Sequence, residues 1–347
     1  MRYTSCAMYI VYLVTDTSYL AGGMRVIFEH VNRLSALGHK VEVWQEKNEA
    51  QPYFKSDVPI KSLEGQDLSA PDILVLTDLI FMDDALAAKR KKGTTYFLMQ
   101  HDFEWLAQVT LDGKYGSWFG EHEEFYRSGA VKIIVVSTWL QSVMRERHNI
   151  ETYLVRNGVD SSIFHPDTPA IKQDKPIVLS VYDSQQWKGF DETIGALLAS
   201  NLEITIALIG RSYPLTPFEN GQYYGFSFPS LFFCRPEQSE LANIYSSATL
   251  FVSASWKEGF GLPGLEAMAC GVPLLTTDSG GPSDYAIPDE TAFVVPPQDQ
   301  AALVAGVERI IKDDKLREKL SQNGSMKAKE LNWESSIKSL EDLFLSK

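Results

Sequence analysis

The sequence predicts an α/β protein of two doubly wound parallel-sheet domains, residues 1–165 and 166–330, with a closing helix over 331–347. Three observations carry this. Short, wholly apolar runs alternate with helical patterns along most of the chain, as buried parallel strands and their crossover helices do. The runs form two series, and between them lies a proline-rich stretch, His165 to Pro176, with little apolar content, which reads as a linker. At 347 residues, with 44% hydrophobic and 22% charged side chains, the chain has the length and composition of a globular protein with two cores.

The first series comprises Tyr9–Val14, Val41–Trp44, Ile73–Thr77, Thr95–Gln100 and Ile133–Ser137. The apolar run from Ala7 to Val14 is cut off by Thr15-Asp16, too short for a membrane span, and is the first buried strand. A helix follows, with Val26, Phe28, His30, Val31, Leu34 and Leu37 available for its inner face and Gly38 as its stop. The second series comprises Ile177–Val181, Ile204–Ile209, Leu231–Cys234, Leu250–Ser253, Pro273–Thr276 and Phe293–Val295. From Gln300 the tail is helical, with one apolar stripe at Leu303, Val307, Ile310 and Ile311 and another at Ile337, Leu340 and Phe344. Trp333 stands between the two, and the last helix is expected to pack back on the first domain. In such domains a ligand binds at the C-terminal edge of the strands.

Composition excludes several functions. The net charge of −13 argues against nucleic acid, and residues 201 to 300 hold 3 Lys and Arg against 11 Asp and Glu. An anion bound there needs backbone amides and a few well-placed bases. The basic run Lys89-Arg90-Lys91-Lys92 before Gly93 reads as a helix C-terminus, with an acidic acceptor or a membrane surface as the second reading. Cys6, Cys234 and Cys270 form no paired motif, so neither a disulfide framework nor a zinc site is indicated.

The most informative segment is Glu258-Gly-Phe-Gly-Leu-Pro-Gly-Leu-Glu266. It joins an apolar strand to a helix over Leu262–Cys270. Glycine lets the backbone approach a ligand, and the free N–H groups of the helix start favour an anion. One carboxylate precedes the helix and one lies inside it, placed to accept hydrogen bonds from two hydroxyl-bearing parts of a ligand. A diphosphate between two sugars fits that pattern. Glu266 sits among Ala267, Met268 and Ala269, a packed helix where an idle carboxylate costs free energy.

With its flanking landmarks, this segment resembles the nucleotide-sugar glycosyltransferases of the GT-B fold, specifically the retaining family 4, glycosyltransferase group 1. The landmarks are Gly22-Gly23 after the first strand, Asn157-Gly158-Val159-Asp160 with Phe164 and Pro166, Trp187-Lys188-Gly189, and Gly280-Gly281. The resemblance spans nearly the whole chain. It implies that Glu258 bonds hydroxyls of the donor sugar and Glu266 those of the ribose. Gly259 and the amides of Phe260, Gly261 and Leu262 meet the sugar and diphosphate, and Lys188 neutralises the leaving group. Gly22 and Gly23 let the first domain close over the phosphates across an interdomain cleft. His101 matches a position beside the reacting sugar, and Asp102 either orients its ring or caps the next helix.

One departure matters. Where the family carries a diphosphate-gripping arginine, this chain has Tyr182-Asp183, and an aspartate repels phosphate. Arg25 or Arg211 is the replacement the sequence offers. A smaller departure is Asp284, where glutamate is commoner. The implied reaction moves a hexose or deoxyhexose, such as rhamnose, from a nucleotide-diphosphate sugar to a glycan, glycolipid or glycoconjugate hydroxyl. No Asp-x-Asp triplet occurs, so no metal or other cofactor is expected. The acceptor is expected against the first domain, where Trp105, Tyr115, Trp118, Phe119, Phe125 and Tyr126 form either a sugar platform or core. The setting implied is polysaccharide assembly in the cytosol, with peripheral contact at its membrane face as an extension.

Three rivals stand against this. An NAD(P)-dependent oxidoreductase would carry G-x-G-x-x-G after the first strand, where the chain reads Tyr19-Leu-Ala-Gly22-Gly23-Met-Arg. Another GT-B enzyme, a phosphorylase or an epimerase, would want a free-phosphate site or its own cofactor lysine. A non-catalytic or partner-dependent sugar-nucleotide-binding subunit is disfavoured by Glu258, Glu266 and Lys188 and kept open by Asp183.

Overall fold

The computed structural model describes residues 7–18, 21–46, 52–83, 93–110, 123–166, 171, 173–211, 222–223, 226–227 and 230–346. The run at Lys89–Lys92, Cys6 and the aromatics Tyr115, Trp118 and Phe119 lie outside them. Among the described residues no helix is long and apolar enough to cross a membrane.

The chain divides into two compact units, Met1–Asn157 with Trp333–Lys347, and Gly158–Asn332. The break falls ahead of the proline-rich stretch, eight residues before position 165. The cause is packing: Phe164 is buried, edge-on to Tyr245, and His165 accepts from Ser246 Oγ through its carbonyl, so this segment belongs to the second unit.

In the first unit the strands are β1 (Tyr9–Val14), β2 (Lys40–Gln45), β3 (Ile60–Ser62), β4 (Ile73–Leu76), β5 (Thr94–Met99), β6 (Lys132–Val135) and β7 (Tyr153–Leu154). They pair all-parallel in the order β3-β2-β1-β4-β5-β6-β7. Helices α1 (Gly22–Ala36), α2 (Phe103–Thr110) and α3 (Thr138–His148) follow β1, β5 and β6. Helix α1 buries Val26, Phe28, His30, Val31 and Leu34 as expected, but Leu37 is the C-cap and stays half exposed because the helix has already ended at Ala36.

The second unit repeats the plan with β8 (Ile177–Tyr182), β9 (Thr205–Gly210), β12 (Ser230–Cys234), β13 (Leu250–Ser253), β14 (Leu274–Thr277) and β15 (Phe293–Val295). These are parallel, ordered β12-β9-β8-β13-β14-β15, and a separate antiparallel pair, β10 (Gln222–Tyr223) and β11 (Phe226–Ser227), stands apart. Its helices are α4 (Phe190–Ala199), α5 (Gln238–Ser246), α6 (Leu262–Ala269), α7 (Gln300–Lys312) and α8 (Asp314–Glu330). The core joins Val178, Leu208, Leu250 and Val252 of the sheet to Ile194 and Leu197 of α4 and to Leu303, Val307 and Ile310 of α7. In each sheet the first strand lies between the second and the fourth. That reversal of strand order opens a crevice at the C-terminal ends, where ligands bind in such sheets.

The last helix, α9 (Trp333–Leu345), returns to the first unit and packs on α1, with Trp333, Ile337, Leu340 and Phe344 buried. Trp333 is thus the first residue of α9 rather than a spacer between helices.

Candidate active site at the strand-order switch of the second unit

The strands flanking the switch point are β8 and β13, and the segments that leave their C-terminal ends carry Lys188 and Glu258. After β8 the chain makes a short 3₁₀ turn, Gln186–Lys188, and Gly189 ends it with φ +66°. A Cβ at Gly189 would lie 2.0 Å from the Ala254 carbonyl oxygen, so only glycine lets the Lys188 turn rest on the end of β13. The Trp256 N–H donates to the Trp187 carbonyl at 2.8 Å and locks the two segments together.

Lys188 Nζ donates to both oxygens of Glu258, at 2.9 and 3.1 Å. The pair is partly buried, the side chains being 25% and 13% exposed. Ser255, buried at the end of β13, donates its hydroxyl to Glu258 Oε1 at 2.8 Å, and the Thr277 hydroxyl of β14 donates to the Ser255 carbonyl. The Glu258 backbone is fixed as firmly: its N–H donates to the Ser279 carbonyl at 2.8 Å, and its carbonyl accepts from the Gly281 N–H at 2.9 Å. A Cβ at Gly281 would meet the Gly259 carbonyl oxygen at 2.2 Å, so the Gly280-Gly281 pair serves this close approach of the β14 loop to the Glu258 loop.

Helix α6 then starts at Leu262 with Gly261 as N-cap and no side-chain cap on its first amides. Its N-terminal N–H groups favour an anion. Tyr285 donates its hydroxyl to the Gly261 carbonyl, beneath Phe260, whose ring centroid is 5.7 Å away. Burial, then the charges of Glu258, Glu266 and Asp284, pushes that phenol well above its ordinary range, so it stays a neutral donor. Glu266 is buried, 4% exposed, on α6. Cys270, one residue past α6, has its thiol pushed up to about 12, chiefly by burial, and is inert.

Asp183 and Arg211 leave the ends of β8 and β9 side by side. Arg211 Nη2 donates to Asp183 Oδ2 at 2.9 Å, so the aspartate is neutralised rather than left to repel an anion. Arg25 lies in the first turns of α1 and is 8% exposed.

In the first unit, Gly22 opens α1 and a Cβ at Gly23 would lie 3.2 Å from the Gln100 amide, so the glycine pair and the end of β5, with His101, share one edge of the sheet. Asp102 caps α2 by accepting from the Trp105 N–H at 3.2 Å, and Arg147 of α3 forks onto its two oxygens at 3.0 and 3.1 Å. These bonds support the helix-cap reading of Asp102. Phe125 and Tyr126 are buried, with ring centroids 6.0 Å from Phe97, and are core rather than a sugar platform.

Of the residues the sequence singled out, the fold joins Lys188 to Glu258 and sets Gly259, Phe260, Gly261 and Leu262 in the loop and helix start that follow, with Glu266 inside α6. Sequence reasoning missed Ser255, Thr277 and Tyr285. Ser255 had a usable signal, a small hydroxyl at the strand end three residues before the loop carboxylate; Tyr285 had none.

The family profile of the glycosyl transferases group 1 matches residues 162–327. The capsular polysaccharide biosynthesis glycosyltransferase CapM of Staphylococcus aureus is 36% identical over 25% of this chain, a match that covers only 23% of that relative's length. Among solved structures, sucrose-phosphate synthase from Thermosynechococcus elongatus superposes with a TM-score of 0.84 at 21% identity, covering 96% of this chain and 98% of its own. The Anabaena protein HepE, solved in complex with UDP-glucose, gives 0.77 at 15% identity, covering 98% of this chain and 100% of its own. Residues 162–327, just under half of the chain, are thus similar to the glycosyl transferases group 1, and the two-unit architecture is that of the GT-B fold.

Proposed function

We propose that the protein transfers a hexose or deoxyhexose from a nucleotide-diphosphate sugar to an acceptor hydroxyl of a glycan, glycolipid or glycoconjugate, with retention of configuration and without a metal. The observation that carries this is the Lys188–Glu258–Ser255 constellation at the switch point, directly ahead of the α6 N-terminus. The chemistry needs those parts. Breaking the bond from the anomeric carbon to the phosphate oxygen leaves its electron pair on the phosphate. Lys188 and the α6 amides stabilise that charge, already oriented before the reaction begins. Glu258, held by Ser255, accepts hydrogen bonds from the sugar hydroxyls, and Glu266 accepts from the ribose. The acceptor oxygen bonds the anomeric carbon on the face the phosphate leaves, and its proton passes to the departing phosphate oxygen. Configuration is kept, and no carboxylate pair of the hydrolase type is required. Of the first unit's residues, His101 is the candidate beside the reacting sugar, and Gly22 and Gly23 are candidate donor-phosphate contacts. The setting is the cytosol, at its membrane face when the acceptor is lipid-borne.

HepE's ligand makes a UDP-sugar the first donor to try. The test is the melting temperature of the purified protein in EDTA against UDP, GDP, ADP, dTDP and their sugars. A ligand at about a hundred times its dissociation constant adds roughly 2.7 kcal/mol. A selective rise, followed by transfer that persists in EDTA, is the expected result. No rise with any nucleotide, or turnover that needs added Mg²⁺ or Mn²⁺, overturns the corresponding part of the reading.

A further inference from the structure

We propose that Arg211 is the second cationic ligand of the donor's diphosphate and that Asp183 is the residue that positions it; this rests on the nucleotide-sugar reading above. The ion pair follows from strand register. Strands β8 and β9 are parallel neighbours with Tyr182 opposite Gly210, so the next residue of each, Asp183 and Arg211, emerges side by side. They emerge at the C-terminal edge, the one from which the Lys188 and Glu258 segments leave.

The two oxygens of Asp183 are used differently. Oδ2 accepts from Arg211 Nη2 at 2.9 Å, and Oδ1 accepts from the Gln185 N–H at 3.0 Å. The Gln185 carbonyl in turn accepts from the Lys188 N–H at 2.9 Å. One carboxylate therefore braces both the guanidinium and the turn that delivers Lys188. The Arg211 backbone is pinned as well: Arg235 Nε donates to its carbonyl at 2.8 Å, and the Arg235 N–H donates to the Gly210 carbonyl at 2.9 Å.

Exposure gives the direction. The Asp183 side chain is 13% exposed and that of Arg211 is 41% exposed, so the carboxylate lies beneath and the guanidinium faces outward. Among the described residues the other guanidinium N–H groups of Arg211 meet no acceptor. An arginine fork matches two phosphate oxygens, and a buried carboxylate behind it fixes the fork before the ligand arrives.

Charge supplies the need. A diphosphate diester carries a negative charge on each phosphate, and Lys188 supplies one cation, ion-paired to Glu258 as Arg211 is to Asp183. Residues 201–300 contain only 3 basic side chains, and two of them, Arg211 and Arg235, follow the adjacent strands β9 and β12. Arg25, the other replacement offered by the sequence, is buried in α1.

The test is calorimetric titration of the full chain with UDP, GDP, ADP and dTDP, and with the matching monophosphates. Wild type is compared with Arg211→Ala, Arg211→Gln, Asp183→Asn and the Asp183→Asn/Arg211→Ala double variant. Arg211→Ala should weaken the preferred diphosphate by about 10- to 100-fold and its monophosphate by much less. Asp183→Asn should weaken the diphosphate by about 3- to 10-fold, and this loss should vanish in the Arg211→Ala background, since a positioning residue acts only through its partner. Arg211→Gln keeps the side chain's bulk and replaces Arg211→Ala should that variant not fold. Unchanged diphosphate affinity in both Arg211 variants overturns the proposal while leaving the nucleotide-sugar reading intact. Equal losses for mono- and diphosphates also overturn it, marking a structural role. A wild type that binds none of the nucleotides removes the reading and this inference together.

Discussion

At the scale of single residues, the site is a set of groups held before any ligand is present. Glu258 has its carboxylate fixed by Lys188 and Ser255 and its backbone by Ser279 and Gly281. Ser255 acts on Glu258, holding Oε1 through its hydroxyl. Loss of one hydrogen bond to a charged group costs about 1.5–3 kcal/mol. Ser255→Ala should therefore reduce kcat/KM by about 10-fold or more, since about 1.4 kcal/mol is a factor of ten. The melting temperature should change by no more than a few degrees, because Lys188 still holds both carboxylate oxygens. Steady-state kinetics beside a melting curve checks it, and undiminished kcat/KM would show that Lys188 alone sets the Glu258 geometry. Glu258 and Glu266 were legible in the sequence because a glycine-rich turn between two carboxylates is a local pattern. The Asp183–Arg211 bond was not legible, because the partners are 28 positions apart and meet only through the β8–β9 register.

Among the elements, legibility follows burial. Strands such as β1, β4 and β13 are buried almost throughout and read as continuous apolar runs. The missed strands, β3, β7, β10 and β11, are two or three residues long, too short to show a period, and β3 and β7 stand at sheet edges. Helix α8 escaped separate notice because it buries only Leu320, Gly324 and Ala328, too sparse for an apolar stripe. Helix α1 carries a consequence of its own packing. His30 is fully buried between Tyr12 of β1, whose hydroxyl lies 3.2 Å from Nδ1, and Trp333 of α9, edge-on at 6.1 Å. Burial lowers its pKa from 6.5 to about 3. The unfolded chain therefore binds a proton that the folded chain refuses between those values, and stability rises with pH across that window. The contribution is complete above pH 6.5 and is lost as pH falls toward 3. At about 1.4 kcal/mol per pH unit, wild type should lose roughly 2 kcal/mol from this group between pH 7.5 and 5.0. Urea unfolding of wild type and His30→Gln at the two pH values tests this. The variant should show a pH dependence smaller by that amount, and equal dependences would mean that His30 is not neutral in the folded protein.

For the whole molecule, the decisive feature is that the chain passes between its units twice, at Asn157–Gly158 and at Asn332–Trp333. The last fifteen residues thereby become part of the first unit's core. Trp333 is 1% and Phe344 0% exposed; Glu334 pairs with Arg33 at 3.1 Å and Glu341 with His39 at 3.0 Å, while Phe344 lies 5.0 Å from the Tyr96 ring. Lys188, Arg211, Glu258 and Glu266, by contrast, all lie within Gly158–Asn332. Donor binding and the integrity of the first unit should thus be separable by one substitution. Trp333→Ala removes a large buried side chain and should cost about 3–5 kcal/mol. That loss should fall on the unfolding transition of the first unit and leave nucleoside diphosphate affinity within about threefold of wild type, a change below 1 kcal/mol. Transfer to the acceptor should decline far more, because His101 belongs to the unit that has been weakened. Calorimetric unfolding with and without the preferred nucleoside diphosphate, alongside transfer rates, distinguishes the outcomes. A variant that loses nucleotide affinity in step with transfer would mean that the first unit's donor contacts, Gly22 and Gly23, carry much of the nucleotide binding.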